Sequence, residues 1–133
     1  MTDRELMNMA REASMNAYVP YSHFSVGAAL ECMDGSVYTG CNVENAALGS
    51  TICAERTACV KAVSEGRRSF RRIAIYADSE NWCTPCGACR QVMTEYEMRY
   101  GNKLTVYCYL NGGRIRQING VESLLPFGFN ADL

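Results

Sequence analysis

The sequence predicts an α/β fold: a three-layer α/β/α sandwich around a mixed five-stranded sheet. Three observations predict it. Three stretches carry helix signals, among them a capping box at the first and a glycine stop after each of the other two. Five short runs between them read as strands, and two pairs of these are joined by turns short enough to force antiparallel pairing. The resulting order, αββαβαββα, places helices on both faces of one sheet.

Each element has its own signal. Thr2 with Glu5 makes a capping box, and Leu6, Ala10, Ala13 and Ala17 repeat at helical spacing until Pro20 ends the helix. Residues 24–32 are apolar and lead into Asp34-Gly35 and then residues 36–41, a β-hairpin. A polar loop spans 42–50. Residues 52–65 are helical, with Gly66 at the left-handed cap position. The run RIAIYA over 72–77 is a strand, followed by a loop to Thr84. Pro85 stands at a helix start, and that helix runs to Tyr100 with Gly101 closing it. Strands over 104–110 and 114–118 flank the turn Asn111-Gly112-Gly113, and 121–125 makes one helical turn stopped by Pro126. Without linker, repeat or low-complexity run, residues 1–133 read as a single domain.

Composition narrows the function. Hydrophobic residues at 48% and charged residues at 20% exclude a disordered tail. Thirteen Lys and Arg against fourteen Asp and Glu leave a net charge of −1, which disfavours a polynucleotide-tracking surface. The first dozen residues carry five charges, and no apolar run reaches the ~20 residues of a membrane helix. The expected compartment is the reducing cytoplasm, with no membrane or nucleic-acid partner. There, eight cysteines in 133 residues point to metal or free thiols before disulfides.

Two fragments carry the chemistry: Cys53-Ala54-Glu55 and Pro85-Cys86-Gly87-Ala88-Cys89. Both fall at the N-terminus of a predicted helix, where free N–H groups and the helix dipole stabilise thiolates. Cys86 and Cys89, three apart, share one face of the first turn. Three thiolates without a fourth protein ligand make an open zinc site, with water in the fourth position. Glu55, two residues after a ligand, reaches that water without itself binding the metal. The other cysteines, Cys32, Cys41, Cys59 and Cys108, read as small buried hydrophobes. Cys83 makes a second C-x-x-C with Cys86 but precedes Pro85, off the helix start. His23, the only histidine, sits in no metal-ligand spacing. Asn42 and Glu44, two apart in an extended segment, project to one side with Val43 toward the core, and suit two sugar hydroxyls.

Beyond these fragments, residues 18–30 (YVPYSHFSVGAAL), GCNVENAA (40–47), ICAERTA (52–58), KAVSEG (61–66), PCGACRQVM (85–93) and LLPFGF (124–129) resemble the small homotetrameric cytidine deaminases. They occur in that family's order over nearly the whole chain. The resemblance implies the cytidine deaminase α/β/α sandwich and one Zn²⁺ per subunit on Cys53, Cys86 and Cys89. It implies hydrolytic deamination of cytidine and 2′-deoxycytidine, with Glu55 as the catalytic acid and base. Arg56 would offset ligand charge at a sulfur. Asn42 and Glu44 would bind the ribose, Phe24 would stack on the base, and the Ala54 backbone N–H would hold the pyrimidine carbonyl. Phe129 would be lent to the site by a neighbouring subunit of a homotetramer.

The chain departs from the pattern in two places. Leu48 stands where the family often has Tyr, and Trp82-Cys83-Thr84 replaces a segment in which Ser before Pro is commoner. Two other readings stay open at this point: a deaminase of a related cytosine-containing substrate, and a structural zinc module without catalysis.

Overall fold

In the computed structural model, which describes residues 1–131, a five-stranded sheet runs in the order β2-β1-β3-β4-β5. Its strands are β1 (Val26–Cys32), β2 (Val37–Cys41), β3 (Phe70–Ala77), β4 (Thr105–Leu110) and β5 (Arg114–Asn119). β3 and β4 are parallel and every other pair is antiparallel, so the sheet is mixed as expected. Helix α1 (Asp3–Ser14) covers one face, where Leu6, Met7 and Ala10 pack with Ala29, Ala74 and Tyr107. Helices α2 (Ala54–Ser64) and α3 (Gly87–Tyr100) cover the other, burying Ala58, Cys59, Ala62, Cys89 and Met93 against Leu30, Ile73, Ile75 and Val106. These are the three layers. No helix among the described residues is long and apolar enough to cross a membrane.

The predicted caps form. Thr2 Oγ1 accepts the Glu5 N–H at 3.1 Å while the Glu5 carboxylate reaches back to the Thr2 N–H, closing the box on α1. Gly101 ends α3 at φ +74°, a left-handed position that Gly adopts without steric cost. Helix α1 stops at Ser14, three residues short of Ala17. The Ser14 hydroxyl donates back to the Arg11 carbonyl, and the next three N–H groups bond three residues back instead of four. Tyr18 is then drawn into a parallel bridge with Val43. The final predicted helical turn is a 3-10 turn, Val121–Ser123.

One close approach sets where α2 begins. A Cβ on Gly40 in β2 would lie 2.6 Å from the Ala58 N and 2.7 Å from the Ala54 carbonyl oxygen. Glycine there lets the first turns of α2 press against β2, which places Cys53 and Glu55 beside the start of β1.

Candidate active site

Cys53 is the N-cap of α2 and Cys86 the N-cap of α3, both with extended backbone, and Cys89 lies in the first turn of α3. The two helices thus bring thiols 33 residues apart to one point. Cys53 Sγ is 3.7 Å from Cys86 Sγ, Cys86 Sγ is 3.6 Å from Cys89 Sγ, and all three lie within 4.8 Å of one another. Sulfurs sharing one tetrahedral zinc at ~2.3 Å stand roughly 3.8 Å apart. The donor set and its spacing fit zinc.

The electrostatics favour thiolate at Cys53, whereas Cys89, which donates its proton toward Cys53 and is buried, is held as the thiol with its pKa pushed up. The Cys89 thiol hydrogen-bonds Cys53, and the Arg56 guanidinium adds to it, so that the Cys53 thiol is pulled down to about 5 despite its burial. Arg56 Nη2 sits 3.4 Å from Cys53 Sγ and 3.4 Å from the Thr51 carbonyl oxygen. That thiolate in turn holds the guanidinium pKa above its ordinary value. Cys83 differs. It is no member of the sulfur cluster, and burial pushes its thiol up to about 11.

A cavity of about 170 Å³ opens beside the sulfurs. Cys53, Ala54 and Glu55 form one wall, Val26 and Asn42 another, and Cys83, Thr84 and Cys86 a third. Glu55 is 5% exposed, and burial holds its carboxyl above the ordinary range, with the neighbouring Cys53 thiolate adding to the shift. A buried acid facing a cavity next to a metal-fitting cluster is placed to exchange protons there. Thr51, Val26 and Thr84 line the cavity without having been assigned a role from the sequence; Val26 fell inside the 18–30 motif and Thr84 beside the Pro85–Cys89 motif, while Thr51 carried no signal.

Asn42 and Glu44 are already bound to the chain. Asn42 Oδ1 accepts the Val26 N–H at 2.9 Å and its Nδ2 donates to the Phe24 carbonyl at 2.8 Å. Glu44 accepts the Tyr21 and Ser22 N–H groups and the Ser22 hydroxyl; that hydroxyl holds its carboxyl below the ordinary range. Both residues shape the segment that carries Phe24. Asn42 lines the cavity, whereas Glu44, Phe24 and Phe129 do not belong to its wall within this chain. Val43 is 42% exposed, contrary to the expectation that it faces the core. Its backbone is held instead by bridges to Tyr18 and Ile52, which lift it away from the sheet. Phe24 and Phe129 are exposed, at 41% and 73%, and Leu48 stands out at 77% on a 3-10 turn. Of the four cysteines read as buried hydrophobes, Cys32, Cys59 and Cys108 are buried, while Cys41, on the edge strand β2, is only half-buried.

An α/β/α sandwich with three thiols at two helix N-termini and a buried acid between them is the frame of a zinc-dependent hydrolase. Residues 1–102 match the family model described as the cytidine and deoxycytidylate deaminase zinc-binding region. The chain belongs to that family. It is 46% identical over 132 residues to a cytidine deaminase of Sporosarcina psychrophila, covering 99% of this chain and 94% of the relative. It is 50% identical over 131 residues to one of Halalkalibacterium halodurans, covering 98% and 96%. Among solved structures, cytidine deaminase from Burkholderia pseudomallei superposes with a TM-score of 0.90 at 44% identity, covering 97% of this chain and all of the other.

Proposed function

We propose that this chain is a zinc-dependent cytidine deaminase that hydrolyses cytidine and 2′-deoxycytidine to uridine and 2′-deoxyuridine, releasing ammonia. The observation that carries this reading is the convergence of three thiols, all within 4.8 Å of one another, beside a cavity walled by the buried Glu55. The near-full-length identity to enzymes named cytidine deaminase supports the same reaction.

Cys53, Cys86 and Cys89 would hold the zinc, which when bound would supply a water of lowered pKa as nucleophile. Three thiolates against a divalent ion leave a net charge of −1, and the Arg56 guanidinium at Cys53 Sγ offsets part of it. Glu55 moves the protons. Its carboxylate accepts one from the attacking water and delivers it to the ring N3. It then takes the proton of the new C4 hydroxyl and delivers it to the departing amine, leaving a C4 carbonyl, ammonia and the free carboxylate. Its raised pKa brings the carboxyl closer to working pH, where giving and taking a proton are both cheap.

Substrate placement draws on the cavity wall through Ala54 and Asn42, and on Glu44, Phe24 and Phe129 outside it. The Ala54 backbone N–H, in the first turn of α2, is an unpaired helix-start donor suited to the pyrimidine carbonyl. Asn42 keeps one N–H and Glu44 keeps free lone pairs after their bonds to the chain, enough to take the sugar hydroxyls. Phe24 stacks on the base. Exposed Phe129 is lent to the site of a neighbouring subunit, so the working form is a homotetramer. Balanced charge favours a free nucleoside over a polynucleotide, and with it a cytoplasmic role in pyrimidine salvage. All of this lies in one domain.

The test is ammonia release. Protein carrying one zinc per chain should convert cytidine to uridine and ammonia. Full zinc occupancy with no ammonia from cytidine or deoxycytidine would overturn the assignment.

A further inference from the structure

Arg90, the residue after Cys89, makes three bonds from one guanidinium. Its Nε donates to the Pro85 carbonyl at 2.7 Å, its Nη2 to Thr84 Oγ1 at 3.3 Å, and its Nη1 to the Leu124 carbonyl at 2.8 Å. The first two acceptors belong to the lead-in to α3, which forms one wall of the cavity and ends at the thiol of Cys86. Burial of Pro85 and packing of Trp82 and Cys83 against the core seat that lead-in, but backbone hydrogen bonds do not fix it. Pro85 has no N–H, and among the described residues no backbone–backbone bond outside helices and strands involves Thr84 or Pro85. The third acceptor lies in the C-terminal segment, which the next residue also grips: Gln91 Nε2 donates to the Phe129 carbonyl at 3.0 Å.

We infer that Arg90 is a positioning residue for the deamination: its guanidinium fixes the Thr84–Cys86 wall, and so the Cys86 sulfur, to the C-terminal segment. A planar fork with five donors in fixed directions meets three acceptors at once. Lysine, a single ammonium on a flexible stem, would meet one or two of them and leave the wall free to shift. A shift of a few tenths of an ångström at Cys86 changes the ligand spacing, and a shift at Thr84 changes the cavity. The residue touches neither substrate nor metal. It acts through the segment it holds.

The inference rests on the reading of the site as a zinc-dependent deaminase, and wild-type zinc content and ammonia release test that reading separately. The deciding experiment uses Arg90→Gln and Arg90→Lys on the zinc-loaded protein, measuring zinc release to a colorimetric chelator, KM and kcat for cytidine, and thermal midpoint. Zinc release should accelerate roughly tenfold or more, the low end of what loss of a supporting partner around a metal site costs. KM should rise by about the same factor, with kcat falling less, and Lys should recover only part of both. A purely structural role would lower the thermal midpoint and leave release rate and KM, measured well below it, at wild-type values. That result overturns the inference, and so does full recovery by Lys. If Arg90→Gln fails to fold, Arg90→Lys decides alone by the same two readings.

Discussion

Two glutamates are buried almost equally at opposite ends of the sheet, and the chain treats them in opposite ways. Glu31, at the Cys32 end of β1, is 7% exposed and meets Arg72 of β3 through two bonds of 2.9 and 2.8 Å. The Arg72 hydrogen bond holds its carboxyl below the ordinary range. Glu55, beside the Val26 end, is 5% exposed, and its carboxyl is pushed up by burial. The cysteines show a related contrast. Burial drives Cys59 and Cys108 up to about 12 inside the core. The site instead splits a hydrogen-bonded pair: Cys53, at a helix start beside Arg56, falls to about 5 while Cys89, hydrogen-bonded to it, is pushed up. One end of the molecule has satisfied its charges internally; the other keeps a buried acid and three thiols that Arg56 and their mutual hydrogen bonds offset only in part. Unbalanced electrostatics, rather than burial, mark the working end.

The contrast breaks most visibly at the thiols. Cys53→Ala should lose zinc and all measurable turnover, whereas Cys59→Ala should keep one zinc per chain and lose only about 1 kcal/mol of stability from a small core void. Metal analysis with an ammonia assay separates the two; zinc retained in Cys53→Ala at wild-type stoichiometry would show that the cluster is not the metal site.

Next come the glutamates. Glu55→Gln should retain zinc and fold while turnover falls about 10³-fold or more, since general acid–base groups contribute ~10²–10⁴ and the proposed mechanism gives this one several transfers. Glu31→Gln should leave kcat near wild type. Similar losses in both variants would erase the distinction between a chemical and a structural acid.

Stability should run the other way. Glu31→Gln should cost about 2 kcal/mol at pH 7, below the 3–5 kcal/mol of a fully buried pair, because Arg72 keeps some exposure. With its folded pKa depressed, Glu31 contributes this stability above its unfolded pKa of about 4.3 and loses it as pH falls through the folded value. Denaturant titrations of wild type and variant should therefore differ at pH 7 and draw together below pH 4.

The smallest effect concerns the metal-free protein. The folded pKa of Glu55 is raised, so its ionisation costs stability as pH climbs above the unfolded value and through the folded one. After chelation, Glu55→Gln should melt a few degrees above wild type at pH 8, on the order of 1 kcal/mol, and match it near pH 4. A lower melting point at pH 8 would mean that the carboxylate is paired within the chain.

Much of this was legible because it is local. Capping at Thr2 and Gly101, the two hairpin turns, and the thiols at helix starts each depend on residues within a few positions. Distance in sequence is what hid the rest. The Ser14 hydroxyl bond and the pull of Tyr18 toward Val43 end α1 early, and the second of these spans 25 residues. The sequence marked Asn42 and Glu44 for a ligand, but their first partners are backbone groups 16 to 23 residues away. Arg90 carried no signal beyond its place in the cysteine motif, since its acceptors include a carbonyl 34 residues on.

The lone parallel pairing in the sheet has a kinetic consequence. β3 and β4 can join only after the chain between them, α3 included, has crossed over one face, a slow, non-local closure compared with the two hairpins. Because Cys86 and Cys89 ride on the start of that crossing helix and Cys53 on the helix before β3, the three sulfurs meet only when the crossover has docked. Zinc uptake by all three sulfurs during refolding is therefore a clock for the late step: a chain that has made its hairpins alone offers the metal only the local Cys86–Cys89 pair, and capture by Cys53 as well ties the crossover to the helix before β3.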